Sequence, residues 1–274
     1  MGCSDQFAIL AGDLEVLLEL GLGCGLVGHD NQGMKAESNQ RTVLTYRLPT
    51  ITPRAQHTLK RIALGLMIAD HVHCVFFNRN LEWLYWLSRF VFPIFALTAA
   101  QNLEHLRANP QRYISRLLAF GLIAQPFYFA CFHAEQLNVM FTLASSIGTY
   151  VLLKVSKAQG VHVLFRYATV IVISAVGMTF LEFGWSGVLA VPVFTALMRR
   201  GAWWDWLAAF VLAFGIVNFT APWLMPLVAI ALWILASRLP SCSSWKPNVW
   251  SRHATYAIYP LHLAVIAFVA KWLA

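Results

Sequence analysis

The sequence predicts an all-α fold, a polytopic integral membrane bundle of about nine transmembrane helices, with eight to ten as the bounds and a cytoplasmic amino terminus. Three observations predict it. Of the 274 residues, 59% are hydrophobic and only 12% charged, and mean hydropathy is +0.61. A soluble domain carries roughly 25% charged residues, so this chain has too little charge to coat a globule in water. The apolar residues gather into runs close to the ~20 residues that a bilayer-crossing helix requires. The basic residues fall between alternate runs, as the positive-inside rule demands.

Cutting wherever charge, Pro, Gly or polar clusters interrupt the apolar runs gives nine candidate spans. They are 58–77, 83–103, 113–132, 138–155, 161–180, 184–198, 203–217, 222–236 and 254–273. The sixth, seventh and eighth are short, so they extend into their flanks, tilt, or in one case re-enter. The Phe92-Pro93-Ile94-Phe95 stretch in the second span reads as a kink with packing aromatics. Trp83, Trp86, Trp203, Trp204, Trp223 and Trp272 lie near span ends, where interfacial aromatic belts form.

Charge tests this count independently. Six basic residues precede the first span or lie in its opening turn: Lys35, Arg41, Arg47, Arg54, Lys60 and Arg61. Three more, Arg107, Arg112 and Arg116, follow the second span, and Lys154, Lys157 and Arg166 follow the fourth. Arg199 and Arg200 follow the sixth, and Arg238, Lys246 and Arg252 follow the eighth. Thus 17 of the 20 Lys and Arg lie on one side, against Arg79 and Lys271 on the other and Arg89 within the second span. The formal charge of +8 is therefore a topology signal spread over short clusters, with no nucleic-acid partner implied. Five cysteines without a CxxC pair indicate neither a disulfide framework nor a zinc site, and no metal is expected.

Residues 1–55 read as a poorly ordered cytoplasmic tail, with Met34 as an alternative start, and residues 56–274 as the membrane domain. The tail lacks the basic-then-apolar layout of a secretory signal.

Ionisable groups within a span cost about 2.5–3.5 kcal/mol at the helix centre, so each needs a partner or a purpose. In the first span Lys60 and His71 are eleven residues apart, which returns them to within about 20° of one face and separates them by about 16.5 Å. Asp70 starts about 100° away round the helix. Counting inward from the span ends brings Arg89, Gln125 and His262 to the depth of Asp70 and His71, with Asn138 and Glu182 at the rim and Tyr259 one turn from His262. Each has a structural alternative. Asp70 and Arg89 can neutralise one another, Gln125 can bond between helices, Asn138 can cap a helix, Glu182 can be a solvated loop residue, and Lys60 can be a topology signal alone.

A buried His beside a carboxylate suits general-base chemistry, and Arg or a second His suits charge developing on an acyl carbonyl. The basic mouth formed by Lys60, Arg61, Arg112 and Arg116 could attract the phosphates of an acyl-coenzyme A. No Walker A loop, dinucleotide fingerprint, HExxH helix or GxSxG elbow appears. These residues alone leave acyl transfer beside two other readings, a proton-coupled transporter and a non-catalytic assembly factor.

The motifs themselves resemble a known family. Lys60 through Asp70-His71, the block Ser88 to Ala96, Gln101-Asn102-Leu103, Ile123-Ala124-Gln125, Asn138 followed by Phe141, and Tyr259-Pro260-Leu261-His262-Leu263-Ala264-Val265 are similar to the TraX family of conjugative pilin acetylation proteins. The resemblance runs in order from about residue 58 to the end. The spacing of Lys60 and His71 also resembles the Arg-x10-His signature of the broader membrane acyltransferase superfamily, with Lys in place of Arg. The resemblance implies a bacterial inner-membrane, multi-pass enzyme that moves an acetyl group from acetyl-CoA to the amino terminus of a processed conjugative pilin subunit. It implies His71 as base, Asp70 as its neighbour, and Arg89 and His262 as site-lining groups.

Overall fold

A computed structural model describes residues 45–77, 80–106, 108–216, 224–238 and 249–273. Most of the expected tail, including Met34, lies outside the described residues, as do Arg79, Arg107, Trp223, Lys246 and the Arg252 side chain.

Among the described residues ten helices follow in order: α1 Pro53–Phe76, α2 Glu82–Ser88, α3 Val91–Glu104, α4 Pro110–Phe132, α5 Val139–Ala158, α6 Val163–Phe180, α7 Gly184–Arg199, α8 Trp203–Ile216, α9 Leu224–Ser237 and α10 Val249–Leu273. Their starts follow capping chemistry. Thr52 Oγ1 accepts the Ala55 N–H at 3.2 Å ahead of Pro53, and Asn109 Oδ1 accepts the Arg112 N–H at 3.1 Å ahead of Pro110. In each case an extended capping residue with a polar side chain precedes a proline whose missing N–H costs nothing in the first helical turn.

Among the described residues five stretches are long and apolar enough to cross a membrane: Glu82–Glu104, Pro110–Phe132, Val139–Ala158, Val163–Phe180 and Tyr256–Leu273. Helices α7, α8 and α9 are apolar but shorter, and α1 carries Lys60, Arg61 and Asp70. The distribution of apolar surface agrees with a membrane protein. Helix α6 leaves Leu164 and Phe165 each 70% exposed, and Ile171, Val172 and Met178 are exposed on the same helix. An apolar surface of this extent is unfavourable in water and natural in lipid.

The second span is divided. Helix α2 stops at Ser88, a turn holds Arg89 and Phe90, and α3 begins at Val91. The expected kink at Pro93 is therefore a break just before it. Pro93 cannot donate to the Arg89 carbonyl, and it sits in the first turn of α3, where no intrahelical donor is needed. The interruption leaves Arg89 at a helix end. Helix α3 then forms the centre of the bundle, with Phe92, Ile94, Ala96, Leu97, Ala99 and Ala100 at most 1% exposed.

Residues 45–52, the end of the expected tail, form a hydrogen-bonded strap across one end of the bundle. Tyr46 N–H donates to the Gly201 carbonyl and Leu48 N–H to the Leu197 carbonyl, both at 2.9 Å. Gln101 brackets Ile51, accepting its N–H and donating to its carbonyl, each at 2.9 Å. Trp233 Nε1 donates to the Pro49 carbonyl at 2.9 Å. Gly201 has φ +60°, and a Cβ there would collide with the Tyr46 backbone, so glycine is required on both counts.

Candidate functional site

The site lies where α1, α2, α4 and α10 meet. His71 Nδ1 is 2.7 Å from His262 Nε2, and His262 Nδ1 is 2.9 Å from the Ile258 carbonyl. A carbonyl only accepts, so His262 Nδ1 carries the proton and its Nε2 lone pair accepts from His71 Nδ1–H. This order leaves His71 Nε2 with a free lone pair. The two rings lie 12° apart in plane with centroids separated by 5.0 Å, and the Phe132 ring stands at 62° to His71, also with centroids 5.0 Å apart. Packing and hydrogen bonding together fix the imidazole.

Asp70 and Arg89 meet at 3.4 Å, so the mutual neutralisation open to them in sequence is realised. Arg89 is held further by Ser88 Oγ at 3.2 Å and by the Tyr85 ring, whose centroid lies 4.4 Å from the guanidinium carbon. Tyr259 packs beside the pair, its ring centroid 6.4 Å from that of His71 and 5.4 Å from that of His262. Its hydroxyl is buried without a hydrogen-bond partner.

Gln125 and Asn138 are placed at this depth but spend their polar groups on each other and on backbone. Asn138 Nδ2 donates to Gln125 Oε1 at 2.8 Å and to the Gly121 carbonyl at 2.9 Å, while its Oδ1 caps α5 by accepting the Met140 N–H at 3.0 Å. Gln125 Nε2 donates to the Gln136 carbonyl at 3.0 Å. The pair ties α4 to α5; its geometry is that of the structural alternative.

A cavity of about 700 Å³ leads to this layer. Lys60, Leu64 and Met67 line it along one stripe of α1, and the next turn of that stripe is His71. Lys60, Arg112 and Arg116 stand at its mouth with His57 and Asn109, and Val139, Met140 and Tyr259 line its far end. Midway, Tyr113 sets its ring edge-on to Tyr256 at 6.4 Å, and Tyr256 stacks on Phe120 at 5.8 Å. Arg61 is exposed and does not line the cavity, because it is one residue, or about 100°, off the Lys60 stripe. His57 lies outside the apolar stretch of α1, and burial, then Lys60 and Arg61, hold it below its usual value. The charge at the mouth is therefore carried by Lys60 and the two arginines at neutral pH.

Sequence reasoning missed His57, Tyr113 and Tyr256 in the cavity wall and placed Glu182 only at the rim. A signal existed for His57, one helical turn before Lys60, and for Tyr113, one turn before Arg116. Glu182 is drawn inward by the junctions around it. Leu137 and Leu181 form a parallel bridge, and Glu182 N–H donates to the Leu137 carbonyl at 3.2 Å. Its carboxyl lies within electrostatic reach of Arg89, Asp70 and Tyr259, and its Oε2 is buried without a hydrogen-bond partner.

The model of the TraX protein family matches residues 55–270. A protein named Protein TraX from Escherichia coli is 27% identical over 226 residues, covering 80% of this chain and 88% of its own length. A second Protein TraX, from Escherichia coli strain K12, is 24% identical over the same shares. A probable fimbrial assembly protein FimC, serogroup H1, from Dichelobacter nodosus is 35% identical over 105 residues, 32% of this chain and 42% of its own. No solved structure matches the chain.

Proposed function

This chain belongs to the TraX family, and on that premise we propose that it is an inner-membrane N-acetyltransferase, moving an acetyl group from acetyl-CoA to the amino terminus of a processed conjugative pilin subunit. The observation that carries this reading is the cavity that runs from the basic mouth to Tyr259, whose ring centroid lies 6.4 Å from that of His71 and 5.4 Å from that of His262. A coenzyme A thioester has a shape to suit it: phosphates for Lys60, Arg112 and Arg116, and an extended arm that brings the thioester to Tyr259. The fimbrial assembly name of the FimC relative supports a pilin-type acceptor. In this reading α1 and the shorter helices α7 to α9 are also crossings, giving nine. The mouth then opens to the cytoplasm, and the chain is a multi-pass protein of the bacterial inner membrane.

The acceptor nitrogen attacks the thioester carbonyl carbon. As the C–N bond forms, His71 Nε2 takes a proton from that nitrogen. His71 Nδ1–H is already bonded to the His262 lone pair, so the imidazolium forms with no change of orientation. The C–S bond then breaks, and the imidazolium returns the proton to the departing thiolate. Tyr259 and Arg89 supply hydrogen bonding and positive charge near the developing oxyanion. The reaction uses no metal.

The test is mass spectrometry of processed pilin after incubation with acetyl-CoA and the purified chain in lipid nanodiscs. Wild type acetylates the terminal amine, and His71→Ala slows transfer by about 10²–10⁴-fold while staying folded. Transfer by His71→Ala at the wild-type rate removes His71 from the mechanism. Absence of transfer by wild type sinks the reaction and favours transport or assembly.

A further inference from the structure

The layer around His71 holds one carboxyl group more than its described pairing uses. Asp70 is matched by Arg89, but Glu182 lies within reach of the same guanidinium, so one cation serves two carboxyls. Glu182 Oε2 and the Tyr259 hydroxyl are both buried and both without a hydrogen-bond partner, and Tyr259 is only 2% exposed. They lie within electrostatic reach of one another, and the one donor close to both, the Val139 N–H that opens α5, cannot satisfy two acceptors. A buried carboxylate left short of a counter-charge costs several kcal/mol, and a buried hydroxyl left unbonded adds to that cost. Such a pair is completed by a ligand that brings one positive charge and several N–H donors.

None of Asp70, Arg89 and Glu182 lines the cavity, yet Asp70 keeps 18% and Arg89 21% of its side chain exposed. The layer is thus not sealed on the side away from the cavity.

We infer that Glu182 and Tyr259 form the receptor for the protonated primary amine of the acceptor, and that this receptor selects amines over hydroxyl acceptors. The inference rests on the acetyl-transfer reading and adds the acceptor subsite to it. An ammonium presents three N–H donors, which the Glu182 carboxylate and the Tyr259 oxygen can accept. Handing one of its protons to Glu182 leaves a neutral amine and a neutral acid, the combination a low-dielectric site favours. The freed lone pair then attacks the thioester, and a second proton goes to His71. Glu182 then returns its proton to water, the residue as a whole being only half-buried.

The experiment measures binding of a short peptide amide, Ala-Ala-Leu-Leu, to the full chain in nanodiscs, with its α-amine either free or acetylated beforehand. Wild type binds the free amine more tightly by roughly 30-fold or more. Glu182→Gln, equal in size and able to hydrogen-bond, loses that preference, and Glu182→Asp retains part of it. Equal binding of the two peptides by wild type, or an undiminished preference in Glu182→Gln, overturns the proposal. Because no transfer is required, a chain that discriminates the peptides but acetylates neither keeps the ammonium receptor and loses only the acetyl-transfer reading. A chain that acetylates with an unchanged peptide KM in Glu182→Gln keeps the reaction and loses the receptor.

Discussion

Two groups of polar residues lie near one another in the bundle and are built on opposite principles. At the junction of α4 and α5, Gln125 and Asn138 bond to each other and to three backbone partners. In the neighbouring layer, Tyr259 and Glu182 retain buried oxygens with no partner, and the hydrogen-bond order leaves a lone pair on His71. The first group is spent on holding two helices in register. The second is held in place by its surroundings and left with capacity for something else. In a membrane, where every unmet polar group is costly, what remains unmet after folding marks a site better than polarity does.

Three substitutions can break or sharpen that contrast. The largest effect belongs to the satisfied group. Asn138→Ala removes a cap and two interhelical hydrogen bonds, and should destabilise the chain by about 2–4 kcal/mol in unfolding of the purified protein. Activity should fall only with the folded fraction, so a fully folded but inactive Asn138→Ala would move this residue into the site. Next comes the tautomer relay. His262→Phe keeps the ring but removes the acceptor for His71 Nδ1–H, and should lower kcat by about 10–100-fold with little change in KM. His262→Gln, which restores an acceptor, should recover part of the rate; equal rates for the two variants would show that the ring only packs. The smallest effect is at the mouth. Lys60→Ala should raise KM for acetyl-CoA about 3–5-fold with kcat unchanged, and Arg61→Ala should do less, since an exposed charge contributes up to about 1 kcal/mol. A loss in kcat instead would place Lys60 near the reacting atoms.

The helical architecture and much of the site were legible in the sequence. Composition and run length located the helices because lipid tolerates few other structures, and Thr52-Pro53, Asn109-Pro110 and Asn138 marked their starts by local capping chemistry. The Lys60 and His71 stripe followed from helical period alone. The His71–His262 bond did not, because it joins residues 191 positions apart and no local pattern encodes that pairing. Arg89 does lie inside the second span, Glu82–Glu104, but the helix break ahead of Pro93 that puts it in a turn was not foreseen. Glu182 read as a rim residue, with a solvated loop position as its alternative, because a carboxylate between two apolar runs ordinarily faces water. Only the bridge between Leu137 and Leu181 brings it into the layer. The strap was hidden for a related reason, since its anchors are backbone groups, which any sequence possesses.

That strap sets an order on biosynthesis. Its residues are among the first of the described chain to leave the ribosome, while Trp233, which holds the Pro49 carbonyl, is made 184 residues later. At translation speeds of about 5–20 residues per second, the strap waits on the order of ten seconds or more for its last anchor. The strap therefore gains its last anchor only when nearly all the helices have been made and the final helix, carrying His262, is close behind.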